Sequence, residues 1–183
     1  MSKNQKKVWI TGASSGIGKA VAEKFASKGW KVAVSARTKA VLDQMSKNQN
    51  MFSFPMDVTD QAQIKKSFDN ILTEFGDLDL CIFSSGTYDP KDESKINSDK
   101  IRNVINVNFF GVIDCVKVVE DHFKNKKSGH ISIVSSIAGY RGLPNSSGYG
   151  PSKAALTNFA ESIYFDFKKY GVRISIISPG FIK

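Results

Sequence analysis

Short apolar runs alternate with longer stretches of mixed polarity along the whole chain. Residues 7–10 (KVWI) form a strand-sized run that leads directly into a glycine-rich stretch, residues 11–18. Over residues 16–28 the apolar positions Ile17, Ala20, Val21 and Phe25 recur at helical spacing, and Gly29 follows where a helix C-terminus favours glycine. The pattern predicts a second strand at 31–36, a helix at 38–47 and a third strand at 51–56, followed by Asp57. Residues 60–75 set Ile64, Phe68, Ile71, Leu72 and Phe75 on one side of a helix, and residues 78–83 form a fourth strand, buried by its composition. A polar loop with Pro90 spans 86–97, and Ser98 is the predicted cap of a long helix from Asp99 to about Asn125. Residues 129–135 and 173–178 are the fifth and sixth strands. Between them lie a loop, 136–147, and a helix that Gly171 closes. Proline is tolerated only in the first helical turn, so Pro151 puts that helix start near Ser147, with Ser146 or Ser147 as cap and Tyr149 in the first turn.

Strands this short, apolar and β-branched belong to a sheet covered on both faces. Joined by helices, they predict an α/β fold, a doubly wound parallel sheet, in one domain over residues 1–183. No apolar run approaches the roughly 20 residues needed to cross a membrane. The start of the chain is polar and basic through Lys7, and the apolar run after it is too short for a signal peptide, so a cytoplasmic protein is expected. Cys81 and Cys115 suggest no disulfide framework, and isolated His122 and His130 suggest no metal site. The net charge of +9 is spread over lysines with no nucleic-acid motif, so no nucleic-acid partner is expected. Such a charge favours anionic ligands, a phosphorylated cofactor among them.

The glycine run sits between a strand and a helix, the setting of a dinucleotide-binding loop. Its glycines let the backbone approach a pyrophosphate, and a helix N-terminus favours the negative charge. The spacing is Gly-x-x-x-Gly-x-Gly through Gly12, Gly16 and Gly18. The second strand ends in Ser35-Ala36-Arg37-Thr38, without the acid that commonly holds an NAD ribose. Arg37 offers a planar fork to a 2′-phosphate instead, which points to NADP(H). In Tyr149-Gly150-Pro151-Ser152-Lys153 a phenol and an ammonium share one helix face, and Ser136 lies thirteen residues upstream. An ammonium beside a phenol favours its ionised form and makes a proton donor usable near neutral pH.

With these motifs the chain resembles the compact, single-domain branch of the short-chain dehydrogenase/reductase family, whose fold is a Rossmann fold. The match includes residues 11–18, Asp57-Val58, Asn108 in Val107-Asn108-Phe109-Phe110-Gly111, Ser135-Ser136, the Tyr149/Lys153 pair and Ser178-Pro179-Gly180. The resemblance implies a hydride-transferring enzyme that interconverts a small-molecule carbonyl and its alcohol, a carbonyl reductase in the NADPH direction. Tyr149 would exchange a proton with the substrate oxygen, Ser136 would polarise that oxygen, and Lys153 would support Tyr149 and hold the nicotinamide ribose. Asn108 would anchor a water beside Lys153 and interrupt its own helix to do so. The cofactor would be held by Gly12, Ser14, Ser15, Gly16, Ile17, Gly18, Arg37, Asp57, Val58, Ser85, Gly86, Tyr149, Lys153, Pro179, Gly180 and Ile182. Ser84-Ser85-Gly86 replaces the family's Asn-Ala-Gly: Gly86 is kept, and the serine leaves the sheet-bracing contact of that asparagine, not the chemistry, an open question.

Family members continue past the sixth strand with a substrate lid, another helix and a seventh strand. The sequence stops at Lys183, so the sixth strand is expected to be an exposed edge, and the chain alone to be poorly folded or weakly active. A non-catalytic NADP-binding sensor or inactive relative is the alternative reading, and a sugar epimerase or dehydratase a more distant one. Phe109, Val116, Phe159 and Phe167, on the helices around Asn108 and after Tyr149, are candidates for a homodimer or homotetramer surface. Substrate choice would rest on residues 87–97 and 138–145.

Overall fold

The first strand, β1 (Lys7–Thr11), is flanked on both sides, by β2 (Lys31–Ser35) and by β4 (Leu80–Phe83), and both ladders are parallel. β3 (Met51–Ser53) extends the sheet beyond β2. β5 (Gly129–Val134) and β6 (Val172–Ile177) extend it beyond β4. The resulting order, β3-β2-β1-β4-β5-β6, is the predicted doubly wound sheet, with its reversal of strand order between β1 and β4. This computed structural model describes residues 5–91 and 95–182. The chain's polar start through residue 4, the middle of the 86–97 loop and Lys183 lie outside them.

Alternation along apolar strands loads both faces. Trp9, Ala33, Cys81, Phe83, Ile131 and Ile133 turn toward α3 (Gln61–Phe75), α5 (Gly111–Lys126) and α6 (Tyr149–Lys168). Val8, Ile10, Val32, Val34 and Ile82 turn toward α1 (Gly16–Ser27) and α2 (Lys39–Met45). Trp9 is wholly buried, stacks on Phe68, meets Phe83 edge-on and donates its indole N–H to Ser35 Oγ at 2.9 Å. At the N-terminal end of β4 the charges are paired: Asp77 meets Lys126 at 2.7 Å and His122 at 3.1 Å, and Asp79 accepts from the Lys7 amide. The C-terminal strand ends carry the glycine loop and the remaining site residues.

The element boundaries shift for local reasons. β3 ends at Ser53, although Phe54 and Met56 still donate to Val34 of β2 and to Ala36 just beyond it; the amide position of Pro55, between them, faces away from β2 at the sheet edge, where proline is tolerated. The cap predicted at Ser98 falls to Asn97, whose side chain accepts from the amides of Asp99 and Lys100. The long helix divides into α4 (Ser98–Ile105), a π turn at Asn106–Phe110, and α5. α6 begins at Tyr149 after an uncapped Gly148, while Ser146 accepts the Gly150 amide with both its carbonyl and its Oγ, each at 3.0 Å. The oligomer candidates also need correction. Val116 and Phe167 are core residues, 3% and 2% exposed, because they point at the sheet. Phe109 and Phe159 pack on that core and on each other, whereas Phe110, Tyr164 and Phe165 are the exposed apolar side chains of these segments.

Candidate active site

Gly12 has φ +67°, and a Cβ there would lie 2.8 Å from Ser84 O and from the Ser85 amide. A Cβ on Gly18 would lie 2.3 Å from Gly12 O. The loop is therefore pressed against the end of β4, a fit only glycine allows. Ser84 Oγ donates to Thr11 O at 2.6 Å, so this serine braces the ends of β1 and β4 in place of the family's asparagine. A short hydroxyl reaches because the glycines let the two strand ends come close. The Ala13 amide donates to Ser35 O, tying the loop to β2 as well. Ser15, the residue before α1, makes no capping bond and the first turn of α1 holds no acid. The helix N-terminus is thus left for an anion.

A cleft of about 320 Å³ runs over this loop. It is lined by Gly12, Ser14, Ser15, Gly16, Ile17 and Gly18, by Arg37 and Thr38, by Asp57 and Val58, and by Ser85 and Gly86. Asp57 turns its carboxylate to the Thr59 amide and hydroxyl, at 2.9 and 2.8 Å. A second cleft, about 220 Å³, is lined by Ser136, Tyr149, Lys153, Pro179, Gly180, Thr87 and Tyr88. The two clefts share Ile17, Ser84 and Gly86 and so lie side by side. Ile182 is 64% exposed and outside the lining of both.

Lys153 is 4% exposed, its Nζ donates to Val134 O at 3.0 Å, and it lies 5.6 Å from the centre of the Tyr149 ring. Burial pulls its ammonium down to about 8. Asn108 is fully buried on the π turn, accepts from the Thr87 amide at 2.6 Å and donates to Thr87 O and Ser152 Oγ at 3.0 and 3.1 Å. A Cβ on Gly86 would lie 3.4 Å from Asn108 Oδ1 and 3.5 Å from Lys153 Nζ, so both polar groups converge on that glycine. Ser136 Oγ accepts from the Ala138 amide at 3.2 Å and opens a 3₁₀ turn, Ile137–Gly139. Its neighbour Ser135 turns onto α6, where its Oγ donates to Lys153 O at 2.9 Å.

The sequence did not give the partners of three side chains at this site. Ser152 links Asn108 to the Tyr149 carbonyl, which its Oγ meets at 2.7 Å. Ser84 braces the sheet. Tyr88 lays its ring against Tyr149, with centroids 4.5 Å apart. For Ser152 the only available hint was its place inside the Tyr-x-x-x-Lys stretch.

The profile of the family described as short chain dehydrogenase matches residues 6–183. A mouse protein, dehydrogenase/reductase SDR family member 7, is 31% identical over 94% of this chain, which spans 54% of that relative's length. The solved structure of ElxO with NADP bound superposes with a TM-score of 0.91 at 28% identity, covering 98% of this chain and 75% of that one. NAD⁺-bound xylitol dehydrogenase superposes with a TM-score of 0.89 at 27% identity, covering all (100%) of this chain and 73% of the other. Among the described residues no helix is long and apolar enough to cross a membrane.

Proposed function

The chain belongs to the short-chain dehydrogenase/reductase family, and from that premise we propose that it is a cytoplasmic NADP(H)-dependent oxidoreductase acting as a carbonyl reductase on a small-molecule carbonyl/alcohol pair. One observation carries this reading. Two adjoining clefts that share Ile17, Ser84 and Gly86 lead from Arg37 at one end to Tyr149, Lys153 and Ser136 at the other. An extended dinucleotide fits that path, with the glycine loop taking the pyrophosphate. NADP is favoured over NAD because the end of β2 offers Arg37 and no acid. The NADP held by a neighbouring structure supports this choice, and the NAD⁺ held by another keeps the comparison with NADH in the test.

When bound, the cofactor supplies a hydride to the carbonyl carbon. The chain's own part is to hold the oxygen and provide the proton. The Ser136 and Tyr149 hydroxyls would donate to that oxygen as negative charge builds on it. Tyr149 would then release its proton to form the alcohol. Lys153 is a cation at neutral pH and stabilises the charge left on the phenol. It would also hold the nicotinamide ribose, with Asn108 linking it to water. Asp57 and Val58 would border the adenine, Ser85 and Gly86 the adenosine, and Pro179 and Gly180 the nicotinamide, whereas Ile182 lies outside both clefts. We read residues 1–183 as one nucleotide-binding domain of a homo-oligomer.

Fluorescence titration with NADPH and NADH, followed by a panel of carbonyl substrates, tests the proposal. NADPH is expected to bind at least about tenfold tighter than NADH. Tyr149→Phe should bind NADPH normally while kcat falls by about 10²–10⁴-fold. No NADPH binding, or full turnover by Tyr149→Phe, overturns it.

A further inference from the structure

We propose that Tyr88 is a positioning residue for Tyr149: its ring packs on the reactive phenol, and its hydroxyl holds the loop from which α6 starts. The inference rests on the oxidoreductase reading. Tyr88 lies two residues past Gly86 and lines the same cleft as Ser136, Tyr149 and Lys153. Its ring is tilted 32° from that of Tyr149 at a centroid distance of 4.5 Å, at the close end of the range over which aromatic pairs attract. Its hydroxyl donates to Asn145 O at 3.1 Å.

That acceptor is conformationally unusual. Asn145 has φ +53°, the left-handed region that costs a side-chain-bearing residue energy and that asparagine tolerates better than most. Ser146 follows directly and accepts the Gly150 amide with two oxygens. A path of contacts thus runs from Tyr88 through Asn145 and Ser146 to Gly150, and Tyr149 lies within it. Tyr149 is the first residue of α6, with no preceding helical turn to brace its ring. Lys153, one turn later, approaches the ring at 5.6 Å, and Tyr88 packs against it from the loop after β4. Tyr88 is itself anchored, because Asn108 bonds both the amide and the carbonyl of the preceding Thr87. The π turn, the loop after β4 and the start of α6 therefore fix the phenol together, and the ring that completes the arrangement carries no proton in the reaction.

Tyr88→Phe keeps the ring and removes the hydroxyl, and Tyr88→Ala removes both. Both variants are made in the full chain. Hydrogen exchange over residues 140–152 is measured without cofactor, NADPH affinity by fluorescence, and steady-state kinetics with whichever carbonyl the unsubstituted protein reduces. Exchange should accelerate several-fold, on the order of tenfold, in both variants and remain unchanged over the glycine loop. NADPH affinity should be unchanged in both. Tyr88→Ala should lower kcat by about 10–100-fold with little change in KM, and Tyr88→Phe should recover most of that loss. Unaltered exchange in Tyr88→Ala overturns the proposal. So does a rise in KM alone, which would make the ring a substrate contact. Failure of the unsubstituted protein to reduce any carbonyl overturns the oxidoreductase reading, while the exchange measurement still decides the contact between Tyr88 and the loop.

Discussion

Lys153 is cationic at pH 7 but sits where burial has drawn its ammonium down to about 8. Below that pH the folded chain bears the cost of a buried charge. Between about 8 and the free lysine value of about 10.4 the unfolded chain binds the proton and the folded chain does not, so this group makes stability rise with pH. Lys153→Met should be the more stable protein at pH 7, by on the order of 3 kcal/mol, and the advantage should vanish toward pH 10. Urea unfolding across that range checks it, and a difference that does not move with pH would count against a desolvated ammonium. Arg37 is exposed, so the role proposed for it is in cofactor affinity rather than in stability. Arg37→Ala should weaken NADPH binding by about 10–100-fold and leave NADH nearly unchanged, read by the same fluorescence titration. Ser136, Asn108, Tyr149 and Lys153 could be singled out from their spacing and resemblance. Tyr88, Ser84 and Ser152 could not, because their informative partners are 57, 73 and 44 residues away.

The π turn at Asn106–Phe110 shows how a single side chain shapes an element. The resemblance anticipated an interruption at Asn108, but the apolar period alone runs on through it. The buried Asn108 amide is satisfied by Thr87 and Ser152, groups from two other segments. Asn108→Ala should leave the Thr87 amide and carbonyl without these partners and cost about 1–3 kcal/mol, measurable by thermal or urea unfolding. The join between β1 and α1 is equally demanding. In Gly18→Ala the new methyl would meet the Gly12 carbonyl at 2.3 Å, an atom that cannot move without shifting the loop. That variant should lose both thermal stability and NADPH affinity, whereas a crowding effect confined to stability would show that the loop does not hold the cofactor. The end of β3 at Ser53 and the Asn97 cap differ from the sequence expectation by only a few residues, since ladders and caps depend on which partner a group meets.

At the scale of the molecule, two apolar layers hold the sheet and leave its C-terminal edge for chemistry. Exposed Phe110, Tyr164 and Phe165 are the apolar groups available near the helices for self-association. Phe110→Glu with Phe165→Glu should shift a homo-oligomer toward monomer in sedimentation velocity; no shift would place the contact elsewhere. The hydrophobic period, the glycine spacing, the missing acid after β2 and the four-residue step from Tyr149 to Lys153 are local properties, and the sequence determined them by itself. They were enough for the alternation of strands and helices, the tight glycine turn after β1 and the shared helix face of Tyr149 and Lys153. Only the tertiary structure decided that Val116 and Phe167 face inward, that Ser84 braces the sheet, that two clefts adjoin at Gly86 and that Tyr88 meets Tyr149. The physical reason is that burial and contact are properties of pairs. Those pairs form between segments far apart in the chain, where neither residue's own neighbourhood records the other.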